Sequence, residues 1–151
     1  MEELIQRLNG AGARGVFIVT LHKGNPGVIR LVLPTGVERL RVKIDGVVLR
    51  REVQRHKRVQ IHSIRSLSIP PGSSLQTSRL ADELGSLLDV PVEELPRVAP
   101  EGADARGAVD IRLTDFYGGR TLWTHLHAED GTEIGPRIRV GSARWLYSNE
   151  E

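Results

Sequence analysis

Leu4, Ile5 and Leu8 stand at helical spacing behind the acidic pair Glu2 and Glu3. The pattern predicts a short N-terminal helix that ends at Asn9-Gly10 and the glycines at 12 and 15. From residue 16 the period drops to two, the spacing of a strand buried on one face. Residues 16–21 form a dense apolar run, 22–27 a turn, and Ile29, Leu31 and Leu33 follow at every second position. After Pro34-Thr35-Gly36 the alternation returns at Leu40, Val42 and Ile44. Asp45-Gly46 predicts a hairpin into a further strand over 47–53. Val59, Ile61, Leu67 and Ile69 close the series.

Pro70-Pro71-Gly72 ends this first unit, residues 1–71, and 72–77 read as a polar linker. Ser78 is the expected N-cap of a second helix with Leu80, Leu84, Leu87 and Leu88 on one face. Pro91 stops it, 92–95 add a further turn, and a second linker rich in Pro and Gly fills 96–107. Strand signals resume at Val109, Ile111 and Leu113, then over 122–127, 138–140 and 144–147. Turns fall at Tyr117-Gly118-Gly119 and Asp130-Gly131. Residues 58–67 align without gaps on 137–146, both reading Arg, β-branched, polar, β-branched, any, Ser, apolar, Arg, any, Leu. Ala13-Arg14-Gly15 recurs as Ala105-Arg106-Gly107. The expected organisation is a duplicated unit, a helix followed by about five short strands, with the second copy over 78–151.

A short helix feeding such strands resembles the Sm-like fold, and the bacterial Hfq group in particular. Val59-Gln60-Ile61-His62-Ser63-Ile64, followed by Leu67 and Pro70, is similar to the Lys-His-Ala-Ile signature of Hfq and the apolar-Pro step behind it. His62 falls on the signature histidine, for which the resemblance implies a part in RNA binding around a central pore. Gln60 and Ile61 replace the aromatic and lysine that precede it, and Gly141 stands at the matching place in the second unit. Val109-Asp110-Ile111-Arg112-Leu113 looks like the first strand of the family. The C-terminal unit also resembles the Sm-like barrel that ends the ribosome-maturation factor RimP. The implied fold is mainly β with short helices: two small Sm-like or SH3-like β-barrels, each preceded by a short α-helix. The implied assembly is a homo-oligomeric ring.

Charge sharpens this picture. Residues 1–70 hold 13 Lys+Arg against 5 Asp+Glu, whereas 71–151 hold 8 against 14. A polyanion-facing half beside an acidic half is one account, and two surfaces that attract each other within or between chains is the other. Arg39, Arg41 and Lys43 alternate with core positions and so share one strand face. Arg50, Arg51, Arg55, Lys57 and Arg58 add a second cluster. Guanidinium forks match phosphates and stack on bases. These residues, with His62, are therefore the candidate RNA contacts, while a solvated edge that discourages aggregation is the competing account. Phe17 is the only aromatic before residue 71, so backbone and shape recognition suits the basic half better than base stacking.

Composition and motifs exclude much else. The chain has 151 residues, 39% of them hydrophobic, and no cysteine, which fits a folded protein without disulfides or thiol chemistry. No apolar run approaches about 18 residues, and the acidic N-terminus lacks the layout of a secretory signal. A cytoplasmic protein without membrane contact is expected. Residues 10–15 match G-x-G-x-x-G but follow a helix and open a strand, the reverse of a dinucleotide site. His125 and His127 share a strand face with Trp123, and Glu129 and Asp130 lie close behind. No third metal ligand stands at a workable spacing, so surface or interface histidines are expected. Asp110 and Asp115 read as solvent-face positions between apolar ones. The expectation is a non-catalytic RNA-binding protein without cofactor or metal, an Hfq-like riboregulator or chaperone acting on single-stranded RNA, with DNA also open. The alternative is a protein–protein adaptor or ribosome-assembly factor.

Overall fold

Helix α1 (Glu2–Ala11) forms where its acidic first turn and apolar spacing predict, and Gly12 ends it in the left-handed region at φ 66°. The computed structural model describes residues 1–53, 60–95 and 106–146. After α1 the order is β1 (Val16–His22), β2 (Asn25–Val32), β3 (Glu38–Val48), α2 (Arg50–Val53), β4 (Ser63–Ile69) and α3 (Leu75–Leu88). It continues with β5 (Val92–Glu94), β6 (Ala108–Phe116), a tight turn at Tyr117–Gly119 with Gly118 and Gly119 in the left-handed region, β7 (Arg120–His127) and β8 (Arg137–Trp145).

The eight strands of the described residues join one mixed open sheet in the order β1-β2-β3-β8-β7-β6-β4-β5. β4 runs parallel to both β5 and β6, and the remaining pairs are antiparallel. Helix α3 covers one face. Its Leu80, Ala81 and Leu84 pack with Leu40, Val42 and Ile44 of β3, Leu67 of β4, Ile111 and Leu113 of β6 and Val140 of β8. The mainly-β expectation therefore stands, and the two separate barrels do not. β3 pairs with β8 from Leu40↔Trp145 to Val48↔Arg137, which knits the two halves of the chain into one sheet.

The internal repeat also falls. Residues 137–146 enter β8, antiparallel between β3 and β7, whereas 60–67 lead into β4, which has only parallel neighbours. Alternation specifies which face of a strand is buried, not which strand it joins, so two unlike strands can share a pattern. For the same reason Asp45-Gly46 makes no hairpin. Ile44 and Val47, which would have to face each other across it, pair instead with Val140 and Ile138 of β8, and β3 runs on to Val48 through two register shifts. Residues 50–53 are helical rather than extended, and Val92–Glu94 is a strand rather than a helical turn.

The N-cap of α3 is Ser74, not Ser78, and its side chain accepts from the Thr77 amide. Asp115, at the end of β6, accepts from the Ser74 amide at 2.9 Å and from the Thr77 hydroxyl at 2.6 Å. Asp110 is likewise no idle surface group: it takes Arg65 at 2.7 Å and the Ser66 hydroxyl at 2.8 Å. At Gly85 a Cβ would come within 2.6 Å of Val92 Cγ2, so a glycine there lets β5 lie against the helix.

Candidate functional site

The face of the sheet opposite α3 carries the cations. Along β3, Leu40, Val42 and Ile44 are buried while Arg41 and Lys43 are exposed, as a period of two requires. Strand pairing extends this face sideways. Arg30 of β2, Arg41 of β3 and Arg144 of β8 stand in one cross-strand row, and Lys43 faces Ser142. One step on, Arg139 pairs with Gly46 and with Leu122 of β7. Arg139, Ser142 and Arg144 are all exposed.

Two carboxylates hold part of this charge in place. Glu38 takes both Arg41 nitrogens at 2.8 and 3.0 Å and Arg30 at 2.9 Å. The hydrogen bonds from Arg41 and then Arg30 pull its pKa from 4.5 to about 2. Asp45 takes Arg120 Nε at 2.7 Å, and this bond, helped by the fields of Lys43 and Arg139, holds its carboxyl below the ordinary aspartate range. Arg139 donates to the Asp45 carbonyl at 3.0 Å. Lys43, Arg139 and Arg144 have no carboxylate ion pair among the described residues.

The remaining candidates from the sequence scatter. Leu31 pairs with Leu40 but Val32 with Glu38, so Arg39 is the extra residue of a β-bulge. Its side chain turns to α3 and binds Glu83 at 2.8 Å. Arg50 and Arg51 lie on α2, and Arg55, Lys57 and Arg58 fall outside the described residues. His62 precedes β4, with its amide on the Gly107 carbonyl. β8, β7 and β6 separate β3 from β4, four strand spacings or about 19 Å. His62 therefore does not join Lys43. Arg30, Arg120, Arg139 and Arg144 were missed as partners in the face. The signal existed, since Arg139 lies between Ile138 and Val140 and Arg144 between Ala143 and Trp145 in β8, but alternation names no neighbour.

Beside the cations the open face is hollow. A groove of about 600 Å³ is lined by Val47, Val48, Phe116, Leu122, Thr124 and Arg139, among others. Glu133 on its wall is neutralised by Arg137 at 2.9 Å. The histidine face of β7 points the other way, into the protein, correcting the expectation of surface histidines. His127 is 7% exposed, and His125 Nδ1 lies 2.7 Å from the Pro136 carbonyl, with burial lowering its pKa. No cluster of three metal-ligating side chains forms among the described residues. None of their helices is long and apolar enough to cross a membrane.

No family model matches the sequence, and no curated protein matches it. Solved structures do resemble it. A probable ribosomal biogenesis protein from Aeropyrum pernix K1 superposes with a TM-score of 0.68 at 25% identity, over 93% of this chain and 74% of that one. Mil, an archaeal Imp4-like protein, superposes with a TM-score of 0.53 at 21% identity, over 93% and 76%, a likeness of fold. These neighbours overturn the Sm-like and Hfq-like resemblance and the RimP comparison with it. The ring of subunits that the Sm-like reading implied loses its premise.

Proposed function

We propose that the protein is a non-catalytic ribosome-assembly factor whose open, cationic sheet face holds RNA. The observation that carries the assembly role is the backbone match over 93% of the chain to a probable ribosomal biogenesis protein. The RNA contact is supported by Lys43, Arg139 and Arg144, exposed on one face, with Glu38 and Asp45 fixing the arginines around them. A duplex or strand of phosphates meets such a face without catalytic groups, and affinity then comes from counterion release.

The adaptor reading, in which the basic and acidic halves of neighbouring chains attract, is weakened by where the ion pairs lie. Arg14–Asp89, Arg39–Glu83 and Arg120–Asp45 join the two halves inside one chain. The test is to recover the tagged protein from cells that make it and sequence the RNA that comes with it. Enrichment of precursor ribosomal RNA over total RNA is expected. Recovery of RNA in its bulk cellular proportions would overturn the assembly reading.

A further inference from the structure

The groove on the open face has a construction that a merely basic surface does not need. Its floor is apolar, from Val48, Phe116 and Leu122. Phe116 meets the ring of Tyr117 edge-on at 5.2 Å, and Tyr117, on the hairpin between β6 and β7, is 82% exposed. Beyond that edge contact the ring buries little on folding. It is a ready surface for stacking.

The cations beside it are set on glycines. A Cβ at Gly46 would come 3.0 Å from the Arg139 guanidinium, and one at Gly118 3.0 Å from that of Arg120. A Cβ at Gly141 would come 2.6 Å from both carboxylate oxygens of Asp45. Arg120 also donates to the Tyr117 carbonyl at 3.1 Å, which ties the cation cluster to the hairpin that bears the ring. Arg120 binds the Asp45 carboxylate and the fields of Lys43 and Arg139 reach it, so positive charge is in excess beside the groove that Arg139 lines. Apolar lining with a few placed charges is the make-up of a small-molecule site, and about 600 Å³ lies within the usual range for one.

We propose that this groove takes one unpaired nucleotide of an RNA strand, its base against Phe116, Leu122 and Tyr117 and its phosphate at Arg139 and Lys43. The proposal rests on the RNA reading above and deepens it. Bases inside a duplex present no free face to stack. The groove therefore selects single strands or bulges, whereas the row Arg30–Arg41–Arg144 beside it contacts backbone alone.

The experiment uses the full chain with a 12-residue oligouridylate carrying 4-thiouridine, the corresponding RNA duplex, and uridine 5′-monophosphate as a competitor. Anisotropy should show the single strand bound more tightly than the duplex. Irradiation should attach it to the peptide containing Phe116 and Tyr117. Tyr117→Ala, which removes an exposed ring, should weaken the single strand about tenfold, the scale of one lost stacking contact, and leave the duplex unchanged. Leu122→Glu should weaken it as well. Single-strand binding that survives both variants, with cross-links elsewhere, would overturn the groove and leave the basic face standing. Absence of binding to either RNA at low salt would overturn both. Mononucleotide binding as tight as that of the oligomer would overturn the RNA assignment in favour of a free-nucleotide site.

Discussion

At the scale of single residues, carboxylates that look interchangeable in the sequence have unlike tasks. Asp115 follows an apolar alternation and reads as a solvent-face group, yet it satisfies two donors at the start of α3. Asp115→Ala takes the acceptor from the Ser74 amide and leaves the Thr77 hydroxyl with only the Thr121 hydroxyl, at 2.8 Å. A loss of about 1–3 kcal/mol is expected from urea unfolding midpoints. Glu38 gives a pH signature. Its folded pKa of about 2 lies below the ordinary 4.5, so between those values the unfolded chain binds a proton that the folded chain does not. Its contribution is complete above about pH 4.5 and disappears as pH falls through 2. Glu38→Gln should flatten part of the wild-type fall in stability over that window, measured by denaturant titration at successive pH values. Other lowered carboxylates, Asp45 and Asp115 among them, keep the remainder of the slope. Arg39 shows the reverse case. Its charge was legible, but the bulge that turns it to Glu83 depends on how β3 meets β2.

At the scale of elements, periodicity and caps placed α1, the strands β1, β6 and β7, and the apolar face of α3 from local sequence. Boundaries failed where a neighbour decided them. Asp45-Gly46 has the composition of a hairpin turn, but β8 pairs with β3 on both sides of it, so the ladder resumes at Gly46 after two register shifts and satisfies the backbone there without a reversal of the chain. Val92–Glu94 is strand because β4 offers it a parallel edge, Leu67↔Val92 through Ile69↔Glu94. That short edge depends on Gly85. Glycine inside a helix ordinarily costs about 1 kcal/mol relative to alanine. Gly85→Ala should nonetheless destabilise the protein, because the new methyl lands 2.6 Å from Val92 Cγ2 with the Val90 carbonyl at 3.2 Å behind it. Faster amide exchange at β5 than at β6 in that variant is the expected readout.

At the scale of the whole molecule, the sheet gathers cations from sequence-distant strands onto one face. If that face binds single-stranded RNA, the joint variant Lys43→Ala, Arg139→Ala, Arg144→Ala removes three phosphate contacts. The slope of log affinity against log salt should then become shallower by about 2. An unchanged slope would place the contacts elsewhere. Helix spacing and strand alternation follow from the sequence alone because each is set by residues a few positions apart, and the absence of thiol chemistry and the excess of positive charge in the first half follow because each is a matter of composition. The strand order was not written there. An apolar–polar alternation is satisfied by any partner that buries the same face, so the sequence is compatible with two small barrels as readily as with one open sheet. Only the joining of β3 to β8 and the parallel seating of β4 between β5 and β6 decide between them. The same pairings bring Arg30, Arg41 and Arg144 into one row and leave His62 four strands away, since proximity across a sheet is a property of ladders and not of sequence distance.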